Sequence, residues 1–328
     1  MKRVSKIIIA VCITLVAIWL SFRKIELTAL KNAFVQANYL WVIAAVANSL
    51  FTVYALGWRW RILLKAKVKI SMAKLFRLNI IAQYANILMP ARMGEIVRAY
   101  MTSIESNASG AYAMGTIIIE KLFDFTAFTI FWILVPVIFA LKEQVKTYWL
   151  ALFLCFLAAG LLAMLTLRPK LFLNGTLHFA RILPHKIREK ISHFAEQGIE
   201  AFATLRSTRN VVSVLLLTAG LILSQALTNF LLFKAFHISL SFWAALFVLM
   251  AIQIGNVPPS APGRIGIFEY AVILALSVFD IHKSQALSYG LLLHVVAFLP
   301  KILLGMFFIG SIDLSKLRRE KKDIKVQG

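Results

Sequence analysis

Uninterrupted apolar runs decide the solvent in which this chain can fold. Bilayer hydrocarbon is about 30 Å thick and a helix rises about 1.5 Å per residue, so a spanning helix needs roughly 17–25 mostly apolar residues. Runs of this kind lie at residues 7–22, 39–57, 115–141, 148–167, 211–233 and 285–310. Two shorter ones, 241–257 and 266–281, flank Pro258, Pro259, Pro262 and Gly263. So many runs cannot be hidden in one soluble core. Of the 328 residues, 60% are hydrophobic and 15% charged, against roughly 45–50% and about 25% in soluble domains. The expected fold is an all-α polytopic membrane protein forming one integral membrane domain over residues 1–328, with about eight spans.

The formal net charge is +22. In a soluble protein that excess would suggest nucleic acid, but in a membrane protein basic loops set orientation, so no nucleic-acid partner is expected. The stretch 59–77 carries seven Lys or Arg and no acid, 168–209 carries eight with three acids, and 316–325 adds six. All fall on one side if the N-terminus is there too. The positive-inside rule then places both termini in the cytoplasm of a bacterial-type inner membrane. Lys2, Arg3 and Lys6 precede the first run, but Arg23 and Lys24 follow it in place of a cleavage site, so it reads as a retained span. Trp19, Trp41, Trp58, Trp60, Trp149 and Trp243 fall near span ends, where amphipathic rings favour the headgroup layer. Between 168 and 210, Ile187, Ile191, Phe194, Phe202 and Leu205 recur at helical spacing among basic residues, as in an amphipathic cytoplasmic connector. A basic tail follows at 311–328. Cys12 and Cys155 lie inside apolar runs and imply no disulfide framework.

One stretch is too polar for an ordinary span: Asn79, Gln83, Asn86, Pro90, Arg92, Gly94, Glu95 and Arg98. A later stretch, Gln253, Asn256, Pro262, Arg264, Gly266 and Glu269, repeats Gln, Asn, Pro, Arg, Gly and Glu in order, at offsets of 170, 170, 172, 172, 172 and 174. Two two-residue insertions reconcile the copies, which suggests an internal repeat with halves at about 39–141 and 211–310. The run before the first copy heads inward and the run before the second heads outward, so the repeat is inverted. Inverted repeats with helices interrupted near the midplane are a recurring transporter architecture. Each copy is expected to form a re-entrant hairpin, turning at 90–94 and at 258–266. Proline and glycine at such tips leave peptide groups that lipid cannot satisfy, so the tips must face protein or water.

Helices restarting at Gly94 and Gly266 would offer N–H groups to an anion. Arg92 and Arg264 add planar forks suited to phosphate, with Glu95 and Glu269 as orienting partners and Gln83, Asn86, Gln253 and Asn256 as polar lining. Glu120 and Asp124 are four residues apart on one helix face, and with Arg98 they are candidates for gating or proton coupling. Three structural alternatives stand beside these assignments: Arg92 and Arg264 holding the turns by salt bridges to Glu95 and Glu269, Lys121 pairing locally with Asp124, and Arg98 bracing Glu95. A lone histidine on an apolar helix is ordinarily a hydrogen-bonded packing residue, and His294 is read as one. No His-rich, Cys-rich or paired-acid arrangement suggests a metal, a cofactor or a catalytic cluster.

The stretch Pro90-Ala91-Arg92-Met93-Gly94-Glu95 with Arg98, the run Glu120-Lys121-Leu122-Phe123-Asp124, and Pro262-Gly263-Arg264-Ile265-Gly266 with Glu269 resemble the lysylphosphatidylglycerol synthase transmembrane-region family. The resemblance implies a flippase-like membrane protein. Family members fused to a cytoplasmic aminoacyltransferase domain make the lipid they move. Here only a short charged tail follows Gly310, so synthase activity is not expected. Lys121 stands where Arg is more typical, which keeps the charge and loses the fork. The expected function is translocation or binding of an anionic phospholipid or polyprenyl-linked glycolipid in a midplane cavity. The alternatives are an accessory subunit holding a separate transferase and, less favoured, a lipid-modifying enzyme.

Overall fold

The computed structural model describes residues 14–23, 25, 27–89, 93–106, 108–138, 157, 185–256 and 261–310. Among them there is no strand. Helix α1 covers 14–22 and α2 Leu27–Val35. Then come α3 (Tyr39–Leu64), α4 (Met72–Leu88), α5 (Gly94–Glu105) and α6 (Gly110–Ile138). Helix α7 (His185–Glu200) runs into a 3-10 turn, Ala201–Arg206. The chain continues through α8 (Thr208–Ala235), α9 (Phe242–Gly255), a 3-10 turn at Pro262–Arg264, α10 (Ile267–Ser277) and α11 (Lys283–Gly310). The expected span at 148–167, the Pro90–Arg92 tip, the start of the connector, Val257–Ser260 and the tail lie outside the described residues.

Helices α3, α8 and α11 are long and apolar enough to cross a membrane, and only 22%, 33% and 22% of their most apolar windows are buried within the molecule. Leu215, Leu216, Leu303 and Phe307 are among the side chains left uncovered. Lipid is the natural cover for such faces. One helix order occurs twice: lengths of 26, 17, 12 and 29 residues in α3–α6, then 28, 14, 11 and 28 in α8–α11. At about 1.5 Å per residue α5 and α10 extend under 20 Å, too short to cross about 30 Å of hydrocarbon alone.

The chain divides into two compact units. The first comprises residues 1–53, 83–93 and 221–304. Within it, Asn48 Nδ2 donates to Ser224 O at 2.7 Å and to Thr228 Oγ1 at 2.9 Å, and the hydroxyls of Thr52 and Ser224 lie 2.7 Å apart. Polar side chains used this way tie helices together where both are bathed in lipid. Buried Tyr289 stacks on Phe233 with centroids 5.1 Å apart and donates to Asn229 O at 3.2 Å. Helix α9 packs on α10, and a Cβ at Gly255 would stand 2.8 Å from that of Ala271. Helix α1 covers the break before α10. Thr14 Oγ1 accepts from Ala261 N at 3.1 Å, and Ile18 presses so close to Gly266 (φ +86) that a Cβ there would meet it at 2.6 Å.

The second unit comprises 54–82, 94–220 and 305–328. Its core gathers Trp60, Leu63 and Leu64 of α3, Leu75 and Leu78 of α4, Ile117 and Ile119 of α6, and Phe202 and Leu205 of the turn after α7. Where α6 meets α7, a Cβ on Gly115 would run into the carbonyl oxygen of Gly198, with Ala201 Cβ at 3.0 Å. Only glycine allows this approach. The described part of the connector is helical from His185 to Glu200, and its C-terminal end is packed into the core. Phe194 remains exposed, and the side chains of Ile187 and Ile191 lie outside the described residues.

Candidate functional site: a buried ion network and a His–Glu pair

In the second unit, α6 presents Thr116, Glu120 and Asp124 at intervals of four residues, so each stands one helical turn from the next. Opposite them stand Arg59 and Trp60 of α3 and Arg98 of α5. Arg59, 1% exposed, forks onto Asp124: Nη1 bonds Oδ1, while Nη2 donates to Oδ2 at 3.3 Å. The same Nη1 donates to Thr218 Oγ1 at 2.9 Å, and Arg59 Nε lies 3.6 Å from Glu120 Oε1. Arg98 Nη2 bonds Glu120 Oε2, its Nη1 donates to Asn79 Oδ1 at 3.0 Å, and its Nε lies 3.9 Å from Glu95 Oε2. The Arg98 guanidinium sits 4.0 Å above the Trp60 ring, whose N–H donates to Thr116 Oγ1 at 2.9 Å. On the more exposed side, Lys121 Nζ reaches Glu95 Oε1 at 2.9 Å.

Three cations thus face three carboxylates. Such a balance is what low dielectric demands, since an isolated buried charge costs several kcal/mol and a paired one far less. The planar fork of arginine also lets one side chain satisfy two acceptors, which suits Arg59 and Arg98 to their positions.

Several sequence expectations change here. Arg59 belongs to no loop, because α3 continues seven residues past Gly57 and buries it against Glu120 and Asp124. Trp60 does not face the headgroup layer; it is fully buried beneath Arg98. Lys121 does not pair with Asp124, because Asp124 turns inward to Arg59 and leaves Lys121 to Glu95. Arg98 touches Glu95 only at 3.9 Å, and its main partners are Glu120 and Asn79.

The first unit holds a smaller constellation. Glu269, in the first turn of α10 and 2% exposed, accepts from Gly266 N at 2.6 Å through Oε2 and so caps the start of the helix. Its other oxygen lies 2.6 Å from His294 Nδ1 of α11. Phe268 and Phe298 flank the His294 ring at 4.8 and 4.3 Å. The Gly266 N–H, expected to be open to an anion, is thus taken by the protein's own carboxylate.

The remaining expected site residues are spread out. Gly94 is buried as the first residue of α5. Gln83 and Asn86, on α4, and Gln253 and Asn256, at the end of α9, are half-buried parts of the first unit, with Asn256 Nδ2 donating to Gln253 Oε1 at 3.5 Å. Arg264 is half-buried with φ +58, and Arg92 lies outside the described residues. Glu95, Arg98, Glu120 and Asp124 meet in the second unit, and Glu269 meets Gly266 in the first. Sequence reasoning left Arg59, Trp60 and His294 out of the site. Two acids in an apolar span require cations, and that requirement is the signal that could have found Arg59. His294 stands 174 residues after Glu120, the same offset that relates Glu95 to Glu269.

Comparison with known proteins places this geometry in context. UPF0104 membrane protein MJ1078 of Methanocaldococcus jannaschii is 24% identical over 247 residues, covering 73% of this chain and 99% of that protein. UPF0104 membrane protein PH1989 of Pyrococcus horikoshii is 24% identical over 325 residues, covering 93% and 96%. A family profile described as Lysylphosphatidylglycerol synthase TM region matches residues 7–305, nearly the whole apolar part of the chain. This multi-pass helical membrane protein therefore belongs to the lysylphosphatidylglycerol synthase transmembrane-region family.

Proposed function

We propose that the protein binds an anionic phospholipid or polyprenyl-linked glycolipid by its headgroup and moves it across the membrane. The observation that carries this reading is the charge-balanced network of buried Arg59, Arg98 and Glu120 with half-buried Asp124 in a membrane protein. A mere brace is poorly served by such a network, because well-packed apolar residues hold a fold equally well or better. Ionisable groups kept at membrane depth mark pathways for charged cargo. Each arginine already has a carboxylate partner, so a phosphate enters by exchange: it takes over a guanidinium fork while the displaced carboxylate finds another donor. Such exchange makes binding reversible, as a translocator needs.

The finer architecture belongs to the same proposal. The recurring helix order, with Pro/Gly breaks after α4 and α9, supports two inverted halves among about eight spans, with both termini in the cytoplasm. Arg92 and Arg264 at the breaks act as headgroup clamps, and Gln83, Asn86, Gln253 and Asn256 line the path. The test is native mass spectrometry of gently extracted protein. The reading requires a co-purified acidic lipid whose occupancy falls at least tenfold in Arg98→Ala that remains folded. Folded protein without lipid, or equal occupancy in the variant, rejects it.

A further inference from the structure

We propose that Glu269 and His294 form a proton-binding pair that couples lipid movement to a proton gradient; the coupling, though not the proton site itself, rests on the translocator reading. Three observations carry the inference. First, the pair is built: His294 Nδ1 lies 2.6 Å from Glu269 Oε1, with Glu269 2% exposed and the ring packed against Phe268 and Phe298. Second, it is tied to a helix break, because the other Glu269 oxygen holds the N–H of Gly266, the residue from which α10 starts. Third, it occupies a defined place in the repeat. Glu95 and Glu120 of the first half stand at the same 174-residue offset from Glu269 and His294 of the second.

The two versions differ in kind. In the first half Arg98 lies between Glu95 and Glu120, so the charges there are balanced by a permanent cation. In the second half a histidine stands in the place of the second carboxylate and meets the glutamate directly. With a neutral ring the pair carries one net negative charge. One proton added at Nε2 makes an imidazolium–carboxylate pair with no net charge, and loss of that proton restores the original state. Besides Glu269, the described charged groups on the turn and helices around His294 are Arg264 before α10, Asp280 after it, and Lys283 and Lys301 on α11. Lys283 is engaged with the backbone oxygens of Leu20 and Arg23. Helix α9 carries no ionisable residue. Tyr289 is committed to Asn229.

The experiment has two arms. Proton uptake by the purified full-length protein is measured potentiometrically between pH 8.5 and pH 5 for wild type and Glu269→Gln. Glutamine can still accept the Gly266 N–H, so the cap is kept. The pair predicts one proton fewer per chain in the variant; equal uptake overturns the proposal. Should the variant misfold, nitrogen-15 NMR of histidine-labelled wild type decides: the His294 ring changes protonation state across that range, and a ring fixed in one state overturns the proposal. In the second arm, vesicles of phosphatidylethanolamine and phosphatidylglycerol carry the protein and a fluorescent phosphatidylglycerol analogue. Wild type is expected to redistribute the analogue at least fivefold faster with an imposed pH gradient than without, and Glu269→Gln at a ratio of one. Equal ratios remove the coupling. Wild type that moves no lipid at all rejects the translocator reading and with it the coupling, while the uptake arm still judges the pair as a proton site.

Discussion

Arg98 and Glu120 allow the network to be dissected without disturbing its charge balance. Replacing Arg98 by Met leaves Glu120 buried at 1% exposure with only Arg59 Nε, 3.6 Å away, to offset it. Breaking one side of a buried pair costs about 3–5 kcal/mol, and the remaining arginine places this case near the lower end. Glu120→Leu is expected to cost a similar about 3 kcal/mol, since Arg98 then keeps only Asn79 and a distant Glu95. The double variant removes one charge of each sign and leaves Arg59 on Asp124. What remains is an unpartnered Asn79 oxygen, about 1–3 kcal/mol, and the lost cation–π contact with Trp60, about 1 kcal/mol. Both losses are already incurred in Arg98→Met, so the double variant should cost less than the two single changes added together, by about 1 kcal/mol or more. Equilibrium unfolding in mixed detergent and dodecyl sulfate micelles measures this. If the costs of the two single changes simply add, the side chains are not an energetic unit and the reasoning fails. Lipid binding should be lost in the folded double variant.

Three further outcomes follow from particular contacts. Gly115→Val should destabilise the protein by about 1–3 kcal/mol, because its side chain meets the backbone of Gly198 rather than a yielding side chain; unfolding in the same micelles checks it. Arg264→Ala should lose bound lipid with little change in unfolding, and Arg264→Lys should recover it only in part, because a point charge lacks the planar fork; full recovery indicates a charge-only site. Cysteines at Ala91 and Ala261 should label from opposite sides in right-side-out and inverted vesicles, and identical patterns exclude inverted halves.

The long helices were legible because their hydropathy exceeds anything a soluble core holds: α3, α8 and α11 start and end within a few residues of the runs at 39–57, 211–233 and 285–310, except at the C-terminal end of α3. That exception is instructive. Arg59 and Arg61 look like the start of a basic loop, and charge alone argued for ending the helix at Gly57. Tertiary pairing overrode it, since Glu120 and Asp124 supply the counter-charges that let α3 continue through Leu64. The repeat of Gln, Asn, Pro, Arg, Gly and Glu marked both helix breaks, and α4, α5, α9 and α10 end and begin there. Partner choice was not legible. Lys121 and Asp124 stand at a spacing that permits a local pair, and only the direction of the α6 face shows that they part. Glu269 looked like a partner for a nearby arginine, whereas its second partner, His294, comes from 25 residues further along the chain.

Carriage of an anionic headgroup across the bilayer, the proposed function, is measured by leaflet exchange. Fluorescent phosphatidylglycerol and a neutral analogue are placed symmetrically in protein-containing vesicles, and the fraction reduced by external dithionite is followed over time. Wild type is expected to expose the inner-leaflet phosphatidylglycerol analogue, the folded Arg98→Met/Glu120→Leu variant to leave it protected, and the neutral analogue to move at least tenfold more slowly. Protection of the inner leaflet by wild type, or exposure of both lipids at the same rate in wild type and variant, would contradict it.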